Sequence, residues 1–165
     1  MNMKIRETEK IDGKLYSVCG YSLEVDHQLL VPKFIEREVV YGEDQPTLTL
    51  SLSFVENSRL EIVDMKLSSR EGSVPVSTSL LTKLSLPQTI RKIALDAIPN
   101  SNYWTTPPTK YTDDYLAQLY WFEHITWGTP RVAIMRVTGW SKPNANYHIT
   151  KLSKVFNFPT SRSSK

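Results

Sequence analysis

Val137-Thr138-Gly139-Trp140-Ser141-Lys142-Pro143 is the stretch on which the reading of this chain turns. Gly139 can take the left-handed conformation that ends a helix without a Cβ penalty. Two residues on, Ser141 is a residue type that caps the start of the next helix. Helices joined that tightly must cross steeply. Trp140, just before the cap, is placed to pack on Ala145 as a hydrophobic staple that sets the direction of the new helix. Beyond the turn, Ala145, Ile149, Leu152 and Phe156 recur at spacings of four, three and four, which marks one buried stripe. Opposite that stripe lie Pro143, Asn144, Tyr147, Thr150, Lys151 and Lys154, with Ser141, Lys142 and Asn146 near the helix start.

Working back toward the N-terminus, Thr129-Pro130 pairs an N-cap residue with a proline at the first helical position. The helix it opens is expected over Pro130 to Val137, with Ala133, Ile134 and Val137 inward. Before it, Thr112 caps a helix whose first turn holds Asp113 and Asp114, charges suited to the positive helix end. Leu116, Leu119, Tyr120 and Trp127 fall near one stripe, so that helix runs to about Thr126 and Gly128 breaks it. Residues 112 to 165 therefore read as a helix-turn-helix unit.

Pro99 to Lys110 holds three prolines and several polar turn residues without periodicity, and residues 99 to 111 are read as a linker. Tyr103 and Trp104 suit docking of that linker on a surface. Residues 1 to 98 read as a small α+β domain. Thr47 to Phe54 and Leu60 to Leu67 alternate at period two, with turn formers Glu56 to Arg59 between them. The expectation is an antiparallel hairpin with Leu48, Leu50, Leu52 and Phe54 on one face. Lys14 to Tyr21 and Phe34 to Tyr41 are two further β-prone runs. Short helices are expected over Ser77 to Leu84 and over Ser85 to Ile98, the second capped by Ser85 and burying Ile90, Ile93, Ala94 and Ala97. The expected class is thus α+β: an N-terminal antiparallel β-sheet with helices, then a C-terminal helical domain.

The 165 residues, 40% hydrophobic and 22% charged, suit an ordinary globular protein, and no apolar run approaches the roughly 20 residues that cross a bilayer. The N-terminus turns polar at once, unlike a secretory signal. No membrane association and a cytoplasmic location are expected. Cys19 is the sole cysteine, so an internal disulfide or a multi-cysteine metal site is excluded. The net charge of +3 conceals an asymmetry. Residues 1 to 98 carry 12 basic against 14 acidic side chains, whereas from Gly128 onward there are 7 basic and no acidic ones. That is the electrostatic footprint of a surface that meets phosphates.

A recognition helix needs side chains of this kind. Lys142 can donate to guanine acceptors, and Asn144 or Asn146 can pair with the donor and acceptor of adenine in the major groove. Tyr147 adds a hydroxyl on a stiff ring. Thr129 and Arg131, at the start of the preceding helix, can meet a backbone phosphate, Lys151, Lys154 and Arg162 can extend that contact, and Thr150 belongs to the same DNA-facing set. These residues imply double-stranded DNA as partner. A homodimer is expected too, since two recognition helices one duplex turn apart gain affinity and symmetry readout.

Tyr120 to Phe156, and especially Arg131-Val132-Ala133, Thr138-Gly139-Trp140-Ser141-Lys142 and Ala145, resembles the C-terminal helix-turn-helix of a broad group of actinobacterial and actinophage proteins. Leu80 to Ile98 is similar to the helical segment that precedes that unit in the same group, after a β-rich N-terminal region. The resemblance implies a DNA-binding C-terminal domain. Two departures stand out: Met135 lies where such motifs favour a small residue, and Asn144, Asn146, Tyr147 and His148 lie where relatives often carry arginines. The second implies a different or weaker target sequence.

Catalysis finds little support. His27, His124 and His148 lie in three segments without ligand partners at helical or zinc-finger spacing, the six glycines are scattered, and no nucleophile elbow is present. Glu36, Glu38, Glu43 and Asp44 form an acidic patch that a solvated strand edge explains as well as a cation site does. No enzyme, no metal and no cofactor is expected. The reading left beside DNA binding is a non-catalytic adaptor whose helical module docks a partner protein. The N-terminal domain would serve dimerisation, or bind a protein partner or an effector.

Overall fold

The computed structural model describes residues 4–7, 15–17, 29–42, 45–54, 59–69, 82–99, 101–156 and 158. Within them the period-two runs are strands and the amphipathic runs helices. In chain order these are β1 (Lys4–Glu7), β2 (Leu15–Ser17), β3 (Leu30–Pro32), β4 (Phe34–Val40), β5 (Thr47–Phe54) and β6 (Leu60–Ser68), followed by α1 (Leu86–Ala97), α2 (Ser101–Thr105), α3 (Asp113–Ile125), α4 (Pro130–Thr138) and α5 (Lys142–Phe156). The fold is α+β. A four-stranded antiparallel sheet in the order β1-β4-β5-β6 and a two-stranded sheet β2-β3 precede the helices.

The expected hairpin is β5 paired with β6, and Leu48, Leu50, Leu52 and Phe54 are all buried. Their partners across the ladder are Leu67, Met65, Ile62 and Leu60. The β6 spacing jumps by three between Ile62 and Met65 because a bulge leaves Val63 without a partner in β5. On the other flank β4 sets Ile35, Arg37 and Val39 beside Leu52, Leu50 and Leu48, so Arg37 belongs to the core face. It is 4% exposed and donates from Nε to Asp96 Oδ2 at 3.4 Å and from Nη1 to the Glu36 carbonyl at 3.0 Å. Glu36 lies on the opposite face, where its carboxylate accepts from Ser51 Oγ at 3.2 Å. Glu43, Asp44, Cys19, His27, Arg162 and the turn residues Glu56 to Ser58 lie outside the described residues, as does most of the helix expected over Ser77 to Leu84.

Helix α1 starts after Ser85, whose side chain makes no capping bond, and has proline in its first turn. It buries Ile90, Ile93 and Ala94, while Ala97 is half-buried. Thr89 shares a hydrogen bond with the Tyr41 hydroxyl at 3.1 Å, which ties the helix to the end of β4. Next, in the segment expected to connect, α2 carries Trp104, 1% exposed and stacked against Tyr115 and Phe122 with centroids 5.7 and 6.0 Å away. One continuous apolar core runs from Leu29 through the sheet and α1 to α3, Ala133, Ile134, Leu152 and Phe158. Among the described residues no helix is long and apolar enough to cross a membrane.

Candidate nucleic-acid interface

Helix α3 provides the base on which the last two helices stand. Thr112 caps it, accepting from the Tyr115 N–H at 3.2 Å, and Asp113 and Asp114 occupy the first turn as expected. Leu116, Leu119, Phe122 and Ile125 are fully buried. The helix ends in a Schellman arrangement: the Gly128 N–H donates to the Glu123 carbonyl at 2.7 Å and the Trp127 N–H to the His124 carbonyl at 3.4 Å. The left-handed position falls on Trp127, with φ of 61°, where glycine is the usual occupant. Tertiary contacts hold it there. Its indole N–H donates to the Leu60 carbonyl of β6 at 2.6 Å, and the Arg59 guanidinium lies 5.3 Å above the ring.

Gly128 is required for a different reason. A Cβ there would fall on the carboxylate of Glu123, which is itself buried and paired with Arg91 of α1 at 3.0 Å. Arg91 also donates to the Thr126 hydroxyl, and its guanidinium lies 5.5 Å over the Phe122 ring. Nearby, Arg59 donates from Nε to Nδ1 of His124 at 3.4 Å. Burial, and after it the Arg59 charge, push the His124 pKa down to about 4, so this imidazole is neutral at pH 7. Arg91 thus ties the end of α3 to α1, and Arg59, just before β6, ties it to the sheet.

From that anchor α4 runs from Pro130 to Thr138, with Thr129 at its N-cap but without a side-chain capping bond. Ala133 and Ile134 are buried and Val137 is half-buried. The helix ends where the sequence placed the break. Gly139 is left-handed at φ 74° and ψ 8°, and its N–H donates to the Met135 carbonyl at 2.8 Å. Thr138 strengthens the turn, its hydroxyl donating to the Ile134 carbonyl at 2.8 Å and accepting from the Trp140 N–H at 3.1 Å. Ser141 immediately precedes α5, and its carbonyl accepts from the Ala145 N–H at 2.9 Å.

The ring of Trp140 meets two aromatic side chains. It stacks on His148, two turns into α5, with centroids 4.0 Å apart and planes 17° from parallel, and meets the edge of Tyr111 at 6.1 Å. An indole reaches well past its own Cβ, so the large flat partner further along the helix takes the face of the ring. Ala145 is fully buried beneath α5, as is most of Leu152, while Ile149 and Phe156 are half-buried, which completes the expected stripe. Phe158 lies flat on Tyr120 at 4.0 Å, returning the chain to α3 after α5 ends.

The outward side of α5 carries the residues expected to read DNA. Lys142, Asn144, Asn146, Tyr147, Thr150, Lys151 and Lys154 are all exposed, as are Thr129 before α4 and Ser141 before α5. Arg131, in the first turn of α4, is half-buried. Tyr147, Lys151 and Lys154 follow one another at four and three residues and so share one ridge. Thr150 spends its hydroxyl proton on the Asn146 carbonyl at 2.9 Å, which leaves its oxygen as an acceptor. Tyr147 sets its ring at 84° to that of His148, 5.4 Å away, which makes the orientation of the tyrosine part of the Trp140–His148 stack. Sequence reasoning did not single out Arg136, exposed in the last turn of α4, or the ring partnership of His148, which has no signal in helical spacing because Trp140 lies outside the helix.

Among the described residues no cluster of three or more His, Cys, Asp or Glu could hold a metal ion. No protein-family model, no curated protein and no solved structure matches the chain.

Proposed function

We propose that the chain is a sequence-specific double-stranded DNA-binding regulator of transcription, in which α4, the Gly139 turn and α5 act as a helix-turn-helix and α5 is the recognition helix. One observation carries this reading. Lys142, Asn144, Asn146, Lys151 and Lys154 line the solvent side of α5 with exposed polar or basic side chains, Ala145 and Leu152 hold the helix to the core, and no acidic residue follows Glu123 in the chain.

In this reading the first turn of α5 enters the major groove. Lys142 donates to guanine O6 and N7, and Asn144 and Asn146 pair with adenine N6 and N7. Ser141 and Tyr147 supply hydroxyls beside them. Thr129 and Arg131 meet one phosphate, and Lys151 and Lys154, with the Thr150 hydroxyl, meet others. The resemblance to actinobacterial and actinophage helix-turn-helix proteins supports the same assignment. The N-terminal sheet serves dimerisation, or takes a protein partner or effector, and a cytoplasmic site of action follows from the DNA target.

A salt titration tests it. Three phosphate contacts, from Arg131, Lys151 and Lys154, give a log–log slope of about −2.7 per copy, and replacing both lysines by alanine reduces its magnitude by about 1.8. Affinity for duplex DNA that ignores salt, or a slope unmoved by the double substitution, overturns the proposal.

A second reading has its own observation. Val132, Tyr147 and Val155 are 55, 67 and 65% exposed, so α4 and α5 also present apolar side chains to solvent. An adaptor would use these to dock a partner protein, and its partner selection would survive charge reversal at Lys142, Lys151 and Lys154.

A further inference from the structure

Strand β6 ends the order β1-β4-β5-β6, and among the described residues no strand lies beyond it. The helical unit meets this strand at its first residue, where the Leu60 carbonyl accepts the Trp127 indole. Past that point Glu61, Val63, Asp64, Met65 and Lys66 are exposed. Met65 is the telling residue. The register sets it beside Leu50 on the core face of the sheet, yet Leu50 is fully buried and Met65 is 46% exposed. Val63, at the bulge, is 57% exposed. The apolar layer therefore runs out to the side of the molecule along this edge instead of closing.

We infer that β6 is the dimerisation edge, and that two copies pair their β6 strands antiparallel about a two-fold axis at Met65. Charge selects both the occupant and the register. With the axis at Met65, each Asp64 faces the partner's Lys66 and each Lys66 faces the partner's Asp64, on the sheet face away from the core. Met65 then meets its own copy on the core face. Moving the axis one residue either way sets aspartate against aspartate or lysine against lysine, which is unfavourable for directly opposed side chains. Asp64, Met65 and Lys66 follow the bulge, so the three opposed pairs that set this register lie in regular strand. Edge strands are often protected by charge, but protection works when the charges repel; an Asp-x-Lys pair about a two-fold axis attracts its own copy.

The inference rests on the dimerisation half of the proposed function and is independent of DNA. Sedimentation equilibrium of the full chain without DNA tests it with four proteins: the parent, Asp64→Lys, Lys66→Asp, and the double exchange. The parent is expected to dimerise. Each single exchange turns both attractive pairs into repulsive ones and weakens the dimer roughly tenfold, while the double exchange restores it. Both substituted positions sit on an exposed strand face, and matching urea midpoints confirm that folding is unchanged. In a Cys19→Ser background, Met65→Cys should oxidise to a covalent dimer, because opposed Cα atoms of an antiparallel pair are about 4.5 to 5.5 Å apart, within disulfide range. A parent that dimerises with no response to the single exchanges overturns this edge while leaving dimerisation standing. A parent that stays monomeric overturns both. Single exchanges that weaken the dimer without rescue by the double one overturn the register.

Discussion

Replacing Gly139 by alanine isolates the backbone conformation on which the α4–α5 turn depends. The residue sits at φ 74°, and a Cβ built there meets nothing within 4 Å, so the substitution creates neither a clash nor a new contact. What remains is the cost of holding an L-residue left-handed, about 1 to 2 kcal/mol. The lower chain entropy of the unfolded alanine variant offsets about 0.5 kcal/mol of that. The net loss is therefore about 1 kcal/mol, or a melting point lower by about 2 to 4 °C for a chain of this size. Urea unfolding should show a lower midpoint with an unchanged slope. Gly139→Asn should lose less, because asparagine tolerates this region better. Gly128→Ala is the contrast: its Cβ would fall on the Glu123 carboxylate and 2.7 Å from Arg91 Nη1, and the loss should be at least about twice as large, since a buried ion pair must move. An alanine at 139 that leaves stability unchanged or raises it would refute the argument, because the turn could then not need a left-handed residue.

Three further outcomes follow from the clasp at the end of α3. Arg91→Met leaves the Glu123 carboxylate buried without its partner and should cost about 3 to 5 kcal/mol, with a good part recovered by adding Glu123→Gln; denaturation midpoints of the single and double variants decide this. Trp127→Phe keeps a ring under Arg59 but removes the donor to the Leu60 carbonyl, at a cost of about 1 to 2 kcal/mol by the same assay. The folded-state pKa of His124 is depressed to about 4 from 6.5, chiefly by burial and then by Arg59, so the unfolded chain binds more protons between those values. The stability this neutral ring contributes is present above pH 6.5 and is lost as pH falls toward 4. His124→Gln should flatten that part of the stability–pH curve, and a variant with the parent's slope would contradict the assignment.

The hairpin, α1, α3, α4, α5 and the Gly139 turn were legible because each rests on local chemistry. Thr47 to Phe54 alternates along its whole length, and Ala145, Ile149, Leu152 and Phe156 can be seen from spacing alone. Features set by tertiary partners were not. Trp127 looked like the end of a helical stripe, yet it takes the left-handed position usually left to glycine, because Leu60 and Arg59, far away in sequence, hold its indole. Arg37 reads as a polar strand residue, and only pairing of β4 with β5 shows that it faces the core beside Leu50. The Val63 bulge coincides with a break in the alternation at the adjacent apolar residues Ile62 and Val63, whereas the exposure of Met65 comes from the place of β6 at the sheet edge, which the pattern does not encode. Trp104 lies among prolines and polar residues with no periodicity, and its burial depends on Tyr115 and Phe122 stacking against it. In the candidate site the outward residues of α5 were legible from the stripe opposite them, whereas the Trp140–His148 stack depends on how an indole leaves a turn.

Selection of bound duplexes from a random pool by the full chain at low salt is the most direct test of the central claim. The account predicts an enriched inverted repeat whose half-sites lie about one helical turn, roughly 10 base pairs, apart. It further predicts that Asn144→Ala or Lys142→Ala relaxes the preference at one position in each half-site, while Lys151→Ala lowers affinity for all sequences alike. A pool that shows no enrichment over successive rounds would contradict it.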